Sequence, residues 1–592
     1  MDLWTAARSA RVFRGTIVEE RGGGGSGLAR ALDEGGTAAL VGLLAEDVDR
    51  VELDDENVTV RVERAGGQEV WVRTAWASGE VSEQRVPSGS GVPVEDVTAA
   101  LHDPLIPMHF RDGAWWRGLP MSGASVVVPA VRPEQLGSSE FRAAHDVRAA
   151  YVAGAMAGGI ASAELVLAMG RAGYLAYFGA GGLPIEAVRA GVERITTEAG
   201  GRPVGFNLLH NPAEPAVEEG TVDLYLEHGV KEVDASAYMG LTAAVVRFRL
   251  NGIREDGGRI IAPHRVAAKV SRPEVAEHFL RPAPQKMLAE LVARGALTAR
   301  QAELARNVPI AEDVTAEADS GGHTDRRPLP VLIPIFRRLV DRITVEQGYT
   351  TRPRVGAAGG IGDPWSFAAA LQLGADYVMT GSINQCTVEA GTSIEVKRML
   401  AEAGYADVTQ GPAPDMFEIG ANVQVLGRGT MYAQRAKVLY DLYRSYTSLE
   451  EVPDADRQKV EKQIFQRSIA DVAKETDAYW VARDPREAER AAADPHHRMA
   501  LVFRWYLGMT SRWARVGETS RKRDYQIWCG PAMGLFNDWV RGSLLEPIET
   551  RGVVRVADAL LRGACVAVRV GMVRNAGLPL PAEAERVLPR SD

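Results

Sequence analysis

From Val147 onward, short apolar runs ending in glycine alternate with longer helical stretches, and this rhythm constrains the fold more than any other feature of the chain. Eight runs follow one another: "AYVAGAMA" (Ala150 to Ala157), "YLAYFGAG" (Tyr174 to Gly181), "PVGFNLL" (Pro203 to Leu209), "EVDASAY" (Glu232 to Tyr238), "RVAAKV" (Arg265 to Val270), "DVTAEAD" (Asp313 to Asp319), "RVGAAGGIG" (Arg354 to Gly362) and "YVMTGSI" (Tyr377 to Ile383). Helical text such as "SAELVLAMGRAG" and "PWSFAAALQLGA" separates most of them. A strand followed by a helix, eight times over roughly 260 residues, has the size and period of a (β/α)8 TIM barrel, so the expected fold class is α/β. A doubly wound sheet is the alternative, but it would bring a Gly-x-Gly-x-x-Gly directly after its first strand, and none stands there.

Two connections are longer than the rest. "TAAVVRFRLNGIREDGGRII" reads as an inserted hairpin, and "RPEVAEHFLRPAPQKMLAELVARGALTARQAELA" as an inserted helical pair. Ahead of the repeats, "RGGGGSG" (Arg21 to Gly27) has the composition of a flexible linker, and "PSGSGVP" (Pro87 to Pro93) punctuates again. Between them "DRVELDDENVTVRVERAGGQEVWVRTAWA" alternates apolar and polar residues around a Gly-Gly turn, as a hairpin or meander does. After about Val408 the text is charge-rich, with apolar residues recurring at helical spacing in stretches such as "PHHRMALVFRWYLGMTSRWARVGE". The expected organisation is a small N-terminal α+β region over 1–130, a barrel over 142–407 and an α-helical C-terminal domain over 408–592.

A chain of 592 residues exceeds what one core holds, in keeping with more than one domain. Its net charge of -9 argues against a nucleic-acid partner, whose binders carry basic footprints. Cys386, Cys529 and Cys565 lie far apart without a Cys-x-x-Cys pair, which disfavours both a disulfide framework and a zinc site and points to reducing cytosol. The N-terminus shows no apolar export segment, and no run reaches about 18 apolar residues, so neither export nor a membrane span is expected.

A barrel collects its chemistry at the C-terminal ends of its strands, and here those ends carry Met156, Asn207, Lys269, His323, Gly359, Gly360, Gly381 and Ser382. "AAGGIGDP" and "TGSINQ" end the seventh and eighth runs. Glycines there let backbone N–H groups approach a ligand, with a helix N-terminus behind each loop, and this is where barrels commonly hold a phosphate. Either loop alone also reads as a tight turn. Small residues in "GAMAGGIAS" admit a flat ligand, or simply form the turn that the following helix needs. Asn207 suits a polar ring edge or a turn. Lys269, inside the apolar "VAAKVS", must meet a counter-charge or a ligand, since burying it unpaired costs several kcal/mol. "EADSGGHTDRRP" (Glu317 to Pro328) either ends a strand or presents His323 to a cofactor.

The order "YVAGAMAGGIAS", "YFGAGGLP", "PVGFNLLHNP", "AKVSRPEVA", "EADSGGHTD", "AAGGIGDP" and "TGSINQ" resembles the PfaD family of trans-acting enoyl reductases of polyunsaturated fatty acid and polyketide synthases. That family is similar to the FMN-dependent nitronate monooxygenases and to flavin-dependent bacterial enoyl-acyl-carrier-protein reductases. The resemblance continues through "DMFEIGANVQVLGRGTMYAQRA", "FRWYLGMTSRWA" and "DYQIWCGPAMGLFNDWV", spanning roughly Arg142 to Val573; residues 1 to about 130 lie outside it. It implies FMN as cofactor, with Ala155, Met156 and Ala157 cradling the flavin ring, Asn207 contacting it, Gly321, Gly322 and His323 over it, and Gly359, Gly360, Gly381 and Ser382 at its phosphate. It also implies NADPH or NADH as reductant, an enoyl thioester as substrate and an acyl carrier protein as partner, with a homodimer left open. In this reading His323 delivers the α-carbon proton, and Lys269 holds negative charge at the flavin's N1 and O2 edge. One departure stands out: where the wider family often has Glu-Ala-Gly-Gly-His, this chain inserts Asp319 and Ser320.

Two other functions fit parts of the pattern. Nitronate oxidation explains the barrel but gives the C-terminal residues no purpose, and a non-catalytic synthase scaffold would not need intact phosphate-loop glycines or an intact Gly-Gly-His. Within "HHRMALVFRWYLGMTSRWARVGETSRKRDYQ", Arg498, Arg504, Arg512, Arg515, Arg521, Lys522 and Arg523 outnumber Glu518 and Asp524. They either steer an acidic carrier protein to the barrel mouth or pair with acids elsewhere to hold the helices in place.

Overall fold

In the computed structural model, residues 94–117, 124–212 and 214–589 are described with their side chains; before residue 94 the description covers the backbone of strands at 17–20, 48–53, 57–64, 68–75, 81–85 and 92–93. Contacts divide the chain into two units, 1–100 with 106–130, and 101–105 with 131–592.

In the first unit, strands Val48–Leu53, Asn57–Arg64, Gln68–Ala75 and Val81–Arg85 run antiparallel in order, with Ile17–Glu20 added parallel to the first. The alternating text therefore forms the expected meander. Its Gly66–Gly67 turn, the Gly-rich linker at 21–27 and residues 87–91 lie outside the described residues. A second, four-stranded sheet contains Met108–Arg111 and Ala114–Arg117.

The second unit is built on a closed barrel of eight parallel strands: β1 (Tyr151–Ala153), β2 (Leu175–Phe178), β3 (Gly205–Leu209), β4 (Glu232–Ser236), β5 (Arg265–Val270), β6 (Asp313–Glu317), β7 (Arg354–Ala358) and β8 (Tyr377–Thr380), with β8 pairing back to β1. All eight sequence runs become strands, the fifth with unchanged bounds and the others shortened at one or both ends. Large and small residues alternate inside. Tyr177 lies where a Cβ on Gly205 would come within 2.4 Å, and Tyr377 where one on Gly356 would come within 2.3 Å, so glycine opposite tyrosine fills the lumen without a clash.

The N-terminal end of the barrel is plugged by α1 (Ser139–His145). Phe141 of α1 stacks on Tyr377 with centroids 4.3 Å apart, and His145 reaches Glu232 and Asp313 at 3.0 Å each. Arg354 forks onto Asp313 at 2.6 and 2.8 Å, while the Tyr177 hydroxyl donates to Glu232 at 2.7 Å. Burial alone would pull the His145 ring down, but the two carboxylates push its pKa up to about 9. Burial would raise Asp313, yet Arg354 and His145 hold it well below the usual carboxylate range.

The first long connection is only half hairpin. "TAAVVRFRL" forms the helix Ala243–Leu250, capped by Thr242, because its apolar run lacks the alternation of a half-buried strand; Arg254–Asp256 and Arg259–Ile261 make the hairpin. The second connection holds three helices, Pro273–Leu280, Gln285–Ala293 and Ala299–Leu304, rather than two.

The C-terminal residues are mostly helical, with one addition. Strands Val408–Pro412 and Asn422–Leu426 pair antiparallel, and the second also pairs with Gly322–His323. The helices include α2 (Pro364–Gln372) of the barrel, and beyond it α3 (Ile469–Arg483), α4 (Pro495–Val516) and α5 (Val553–Asn575), the last packed on α2. Among the described residues no helix is long and apolar enough to cross a membrane.

Candidate active site

Strand pairing sets the inward-facing layer at the C-terminal end. Asn207 sits opposite Asp234, Ser236 opposite Lys269, and Lys269 opposite Thr315; Glu317 is two residues beyond Thr315 and so shares its face. The side chains meet as this register requires. Lys269 Nζ donates to Glu317 Oε1 at 2.9 Å, and Asn207 Nδ2 donates to Ser236 Oγ and the Asp234 carbonyl at 3.1 Å each. Burial would lower the Lys269 ammonium, but Glu317 and Asp234 hold its pKa above the ordinary value. Asp234 is fully buried, which pushes it up to about 6 despite Lys269, and its Oδ1 finds no partner among the described residues.

Above this layer opens a cavity of about 1700 Å³. Ala155, Met156, Ala157, Asn207, Lys269, Gly321, Gly322, His323, Gly359, Gly360, Gly381 and Ser382 all line it. The loop after β1 is stitched to the loop after β2 by Gly158 N–H donating to Gly181 O at 2.7 Å and Gly159 N–H to Gly179 O at 2.8 Å, which presents Ala155 to Ala157 as a small-residue shelf. On the far side, Gly359 is pressed against Ala318, whereas a Cβ on Gly360 or Gly381 would meet nothing within 4 Å. The N–H groups of these last two find no acceptor among the described residues. Open space beside free backbone donors is the geometry of an anion cradle. The helix dipoles contribute less than expected: Asp363 already caps α2 by accepting from Ser366 N–H at 2.8 Å, and a short 3-10 segment, Ser382–Cys386, follows β8 at once.

His323 does not sit on the end of β6 itself. The strand stops at Glu317, and Gly322 and His323 form a separate short strand on the C-terminal sheet. There the inserted Asp319 and Ser320 acquire a purpose, because Gln424 Nε2 donates to Asp319 Oδ1 and to the Ser320 carbonyl at 2.8 Å each. Gly321 packs on the backbone of Cys529, with room for no Cβ, and Gly530 N–H donates to Ser382 Oγ at 3.2 Å. The C-terminal residues therefore clamp both the histidine loop and the eighth-strand loop.

Asp415, which sequence reasoning did not single out, lies 3.0 Å from His323 Nε2 through both carboxylate oxygens. Burial would lower the imidazole, but the Asp415 hydrogen bond and charge, helped by Glu317, raise its pKa. The charged form of the ring is thus stabilised relative to an isolated imidazole, and Nδ1 makes no hydrogen bond among the described residues. Glu317 and Asp234 were likewise missed. Glu317 was legible in principle from Lys269's need for a counter-charge, whereas Asp415 lies 92 residues from His323 and left no local signal.

The C-terminal basic residues divide. Arg521 is buried, donates to the Phe465 and Ile464 carbonyls at 2.9 and 2.7 Å and stacks on Trp513 at 4.0 Å, and Lys522 is paired with Glu395. Arg498 holds Asp477 and Arg504 holds Glu418. These four are structural, so a continuous docking patch through Arg521 and Lys522 is not what the fold builds.

Fold and cavity together define a (β/α)8 barrel whose active end is walled and clamped by a C-terminal helical layer. Residues 446–525, within that layer, match the family described as "[Acyl-carrier-protein] S-malonyltransferase, inserted helical domain". The chain is 46% identical over 463 residues to a polyunsaturated fatty acid synthase polypeptide of Thraustochytrium sp., covering 77% of this chain and 31% of that protein. It is 47% identical over 440 residues to the polyketide biosynthesis protein ThaF of Burkholderia thailandensis, covering 74% of this chain and 38% of that protein. It thus spans about a third of each of these relatives. The crystal structure of the enoyl reductase domain of MlnA, from the macrolactin biosynthesis cluster of Bacillus amyloliquefaciens, superposes with a TM-score of 0.70 at 36% identity, covering 75% of this chain and 99% of that one. The chain belongs to the PfaD-type enoyl reductase family of polyunsaturated fatty acid and polyketide synthases.

Proposed function

We propose that this protein is an FMN-dependent enoyl reductase that reduces the carbon–carbon double bond of an enoyl thioester carried on an acyl carrier protein, with NADPH or NADH as reductant. The observation that carries the reading is the convergence of the open Gly360 and Gly381 cradle, the Lys269–Glu317 pair and the Asp415-held His323 on one cavity. The residues suit FMN: free N–H groups at Gly360 and Gly381 would hold its phosphate, the Ala155–Ala157 shelf and Asn207 its ring, and Lys269 the anionic edge. When bound, the flavin supplies hydride transfer from the nicotinamide to the enoyl β-carbon.

The chain's own groups do the rest. His323, whose pKa Asp415 raises, donates a proton to the α-carbon, and Asp415 holds the ring in one orientation as it does so. Glu317 fixes Lys269, so that the ammonium is aimed rather than mobile. The Gln424 clamp on Asp319 and Ser320 sets the height of the histidine loop above the cavity.

The test is anaerobic turnover of crotonyl-pantetheine with NADPH by the flavin-loaded chain. Butyryl product supports the reading. Oxygen-dependent consumption of a nitroalkane without enoyl reduction would assign nitronate oxidation instead, and colourless, inactive protein would return it to a scaffold.

A further inference from the structure

Four arginines lie on α4, and two of them stand without a carboxylate. Arg498 and Arg504 are each paired with an acid, but neither Arg512 nor Arg515 has one among the described residues, and both line the cavity. Arg515 reaches across to the barrel, where its Nη1 donates to the Gly158 carbonyl at 2.7 Å, in the loop after β1. Its Nε is buried with no partner among the described residues, and its Cδ lies 3.2 Å from where a Cβ on Gly158 would stand, so glycine lets the guanidinium lie against the loop. Burial and the neighbouring Arg512 charge both depress Arg515 below the ordinary arginine value. Arg512, three residues earlier on the same helix, is exposed. Like charges at this spacing on a helix repel, and a half-desolvated guanidinium with an idle donor costs more. An arrangement that is unfavourable when empty becomes favourable when an anion bridges it, and arginine forks match phosphate oxygens.

We propose that Arg512 and Arg515 form an anion subsite on the cavity wall that takes the phosphate ester of an incoming ligand, distinct from the phosphate cradle at Gly360 and Gly381. The position fits a ligand whose phosphate is remote from its reacting end, since Arg512 is exposed while Lys269 and His323 are partly buried. Two such ligands follow from the proposed reductase reading, on which this inference rests: the 4′-phosphopantetheine arm of a carrier, and the nicotinamide dinucleotide.

Calorimetric titration of the full flavin-loaded chain separates them. The probes are pantetheine 4′-phosphate, pantetheine and adenosine 2′,5′-bisphosphate, each titrated into wild type, Arg512→Gln and Arg515→Gln. One of the two phosphate probes is expected to bind at least about tenfold more weakly to either variant, more so at low salt, with pantetheine unchanged. Loss confined to pantetheine 4′-phosphate makes the carrier arm the source; loss confined to the adenosine probe makes it the nucleotide. Because Arg512 is exposed, its variant keeps the test valid if Arg515→Gln fails to fold. Wild-type affinity for both phosphate probes in the variants, no binding to wild type, or loss of flavin in place of probe would overturn the subsite. Phosphate binding through Arg512 in a protein that never reduces crotonyl-pantetheine would instead break the reductase reading and leave the subsite standing.

Discussion

The two ends of the barrel hold comparable buried charge and handle it in opposite ways. At the N-terminal end His145, Glu232, Asp313 and Arg354 satisfy one another beneath α1, and Phe141 seals the bottom on Tyr377. At the C-terminal end Asp234 keeps an oxygen without a partner among the described residues, Lys269 and Glu317 face a cavity, and Gly360 and Gly381 leave space beside free N–H groups. A closed network contributes stability; an open one has capacity left for a ligand. The same fold thus keeps its structural polarity at one end and its chemical polarity at the other.

The largest expected effect lies at the closed end. Asp313→Ala leaves Arg354 and His145 as buried cations without their shared carboxylate, and should destabilise the protein by about 3–5 kcal/mol in denaturant unfolding. Lys269→Met at the open end should cost clearly less stability while weakening flavin binding. Equal losses of stability would erase the distinction between the ends.

Next in size is Gly381→Leu. The position has φ of -124°, outside the left-handed region, and no protein atom lies within 4 Å of its Cβ, so a side chain meets no clash there and occupies the cradle. FMN affinity should fall at least tenfold, about 1.4 kcal/mol or more, with the melting temperature of the apoprotein unchanged. Full flavin retention would remove the loop from the phosphate site.

The closed network also predicts a pH dependence. Because the His145 pKa is raised to about 9 in the folded state, its stabilising contribution is complete below the unfolded value near 6.5 and is lost as pH rises through about 9. Wild type should lose on the order of 1–3 kcal/mol across that window, and His145→Gln should not show the same slope. Parallel curves would mean that His145 is neutral in the folded protein.

The smallest effect sharpens the open end. Asp415→Asn removes the group that raises the His323 pKa, so the alkaline loss of enoyl reduction should begin at lower pH than in wild type. An unmoved limb would detach Asp415 from the proton donor.

How far the sequence foretold this molecule follows from the range of each interaction. The βα rhythm is local, so all eight strands were legible, as was the cluster of glycines that end β7 and β8. "TAAVVRFRL" misled because a short apolar run has no period that separates strand from helix, and only its packing decides. The Asp415 contact and the Gln424 clamp join segments about a hundred residues apart through a sheet that forms only after the C-terminal residues fold back, and nothing local announces them. Lys269 was the instructive intermediate: its demand for a partner was plain in the sequence, but Glu317 was fixed only by strand register.

In the proposed reaction His323, held by Asp415 over the open end of the barrel, gives the proton that completes enoyl reduction. Stopped-flow measurement of the two half-reactions in His323→Ala tests it directly. Flavin reduction by NADPH should stay near the wild-type rate, while reoxidation by crotonyl-pantetheine slows by about 10²-fold at neutral pH. Wild-type rates in both halves, or a loss confined to the NADPH half, would contradict the account.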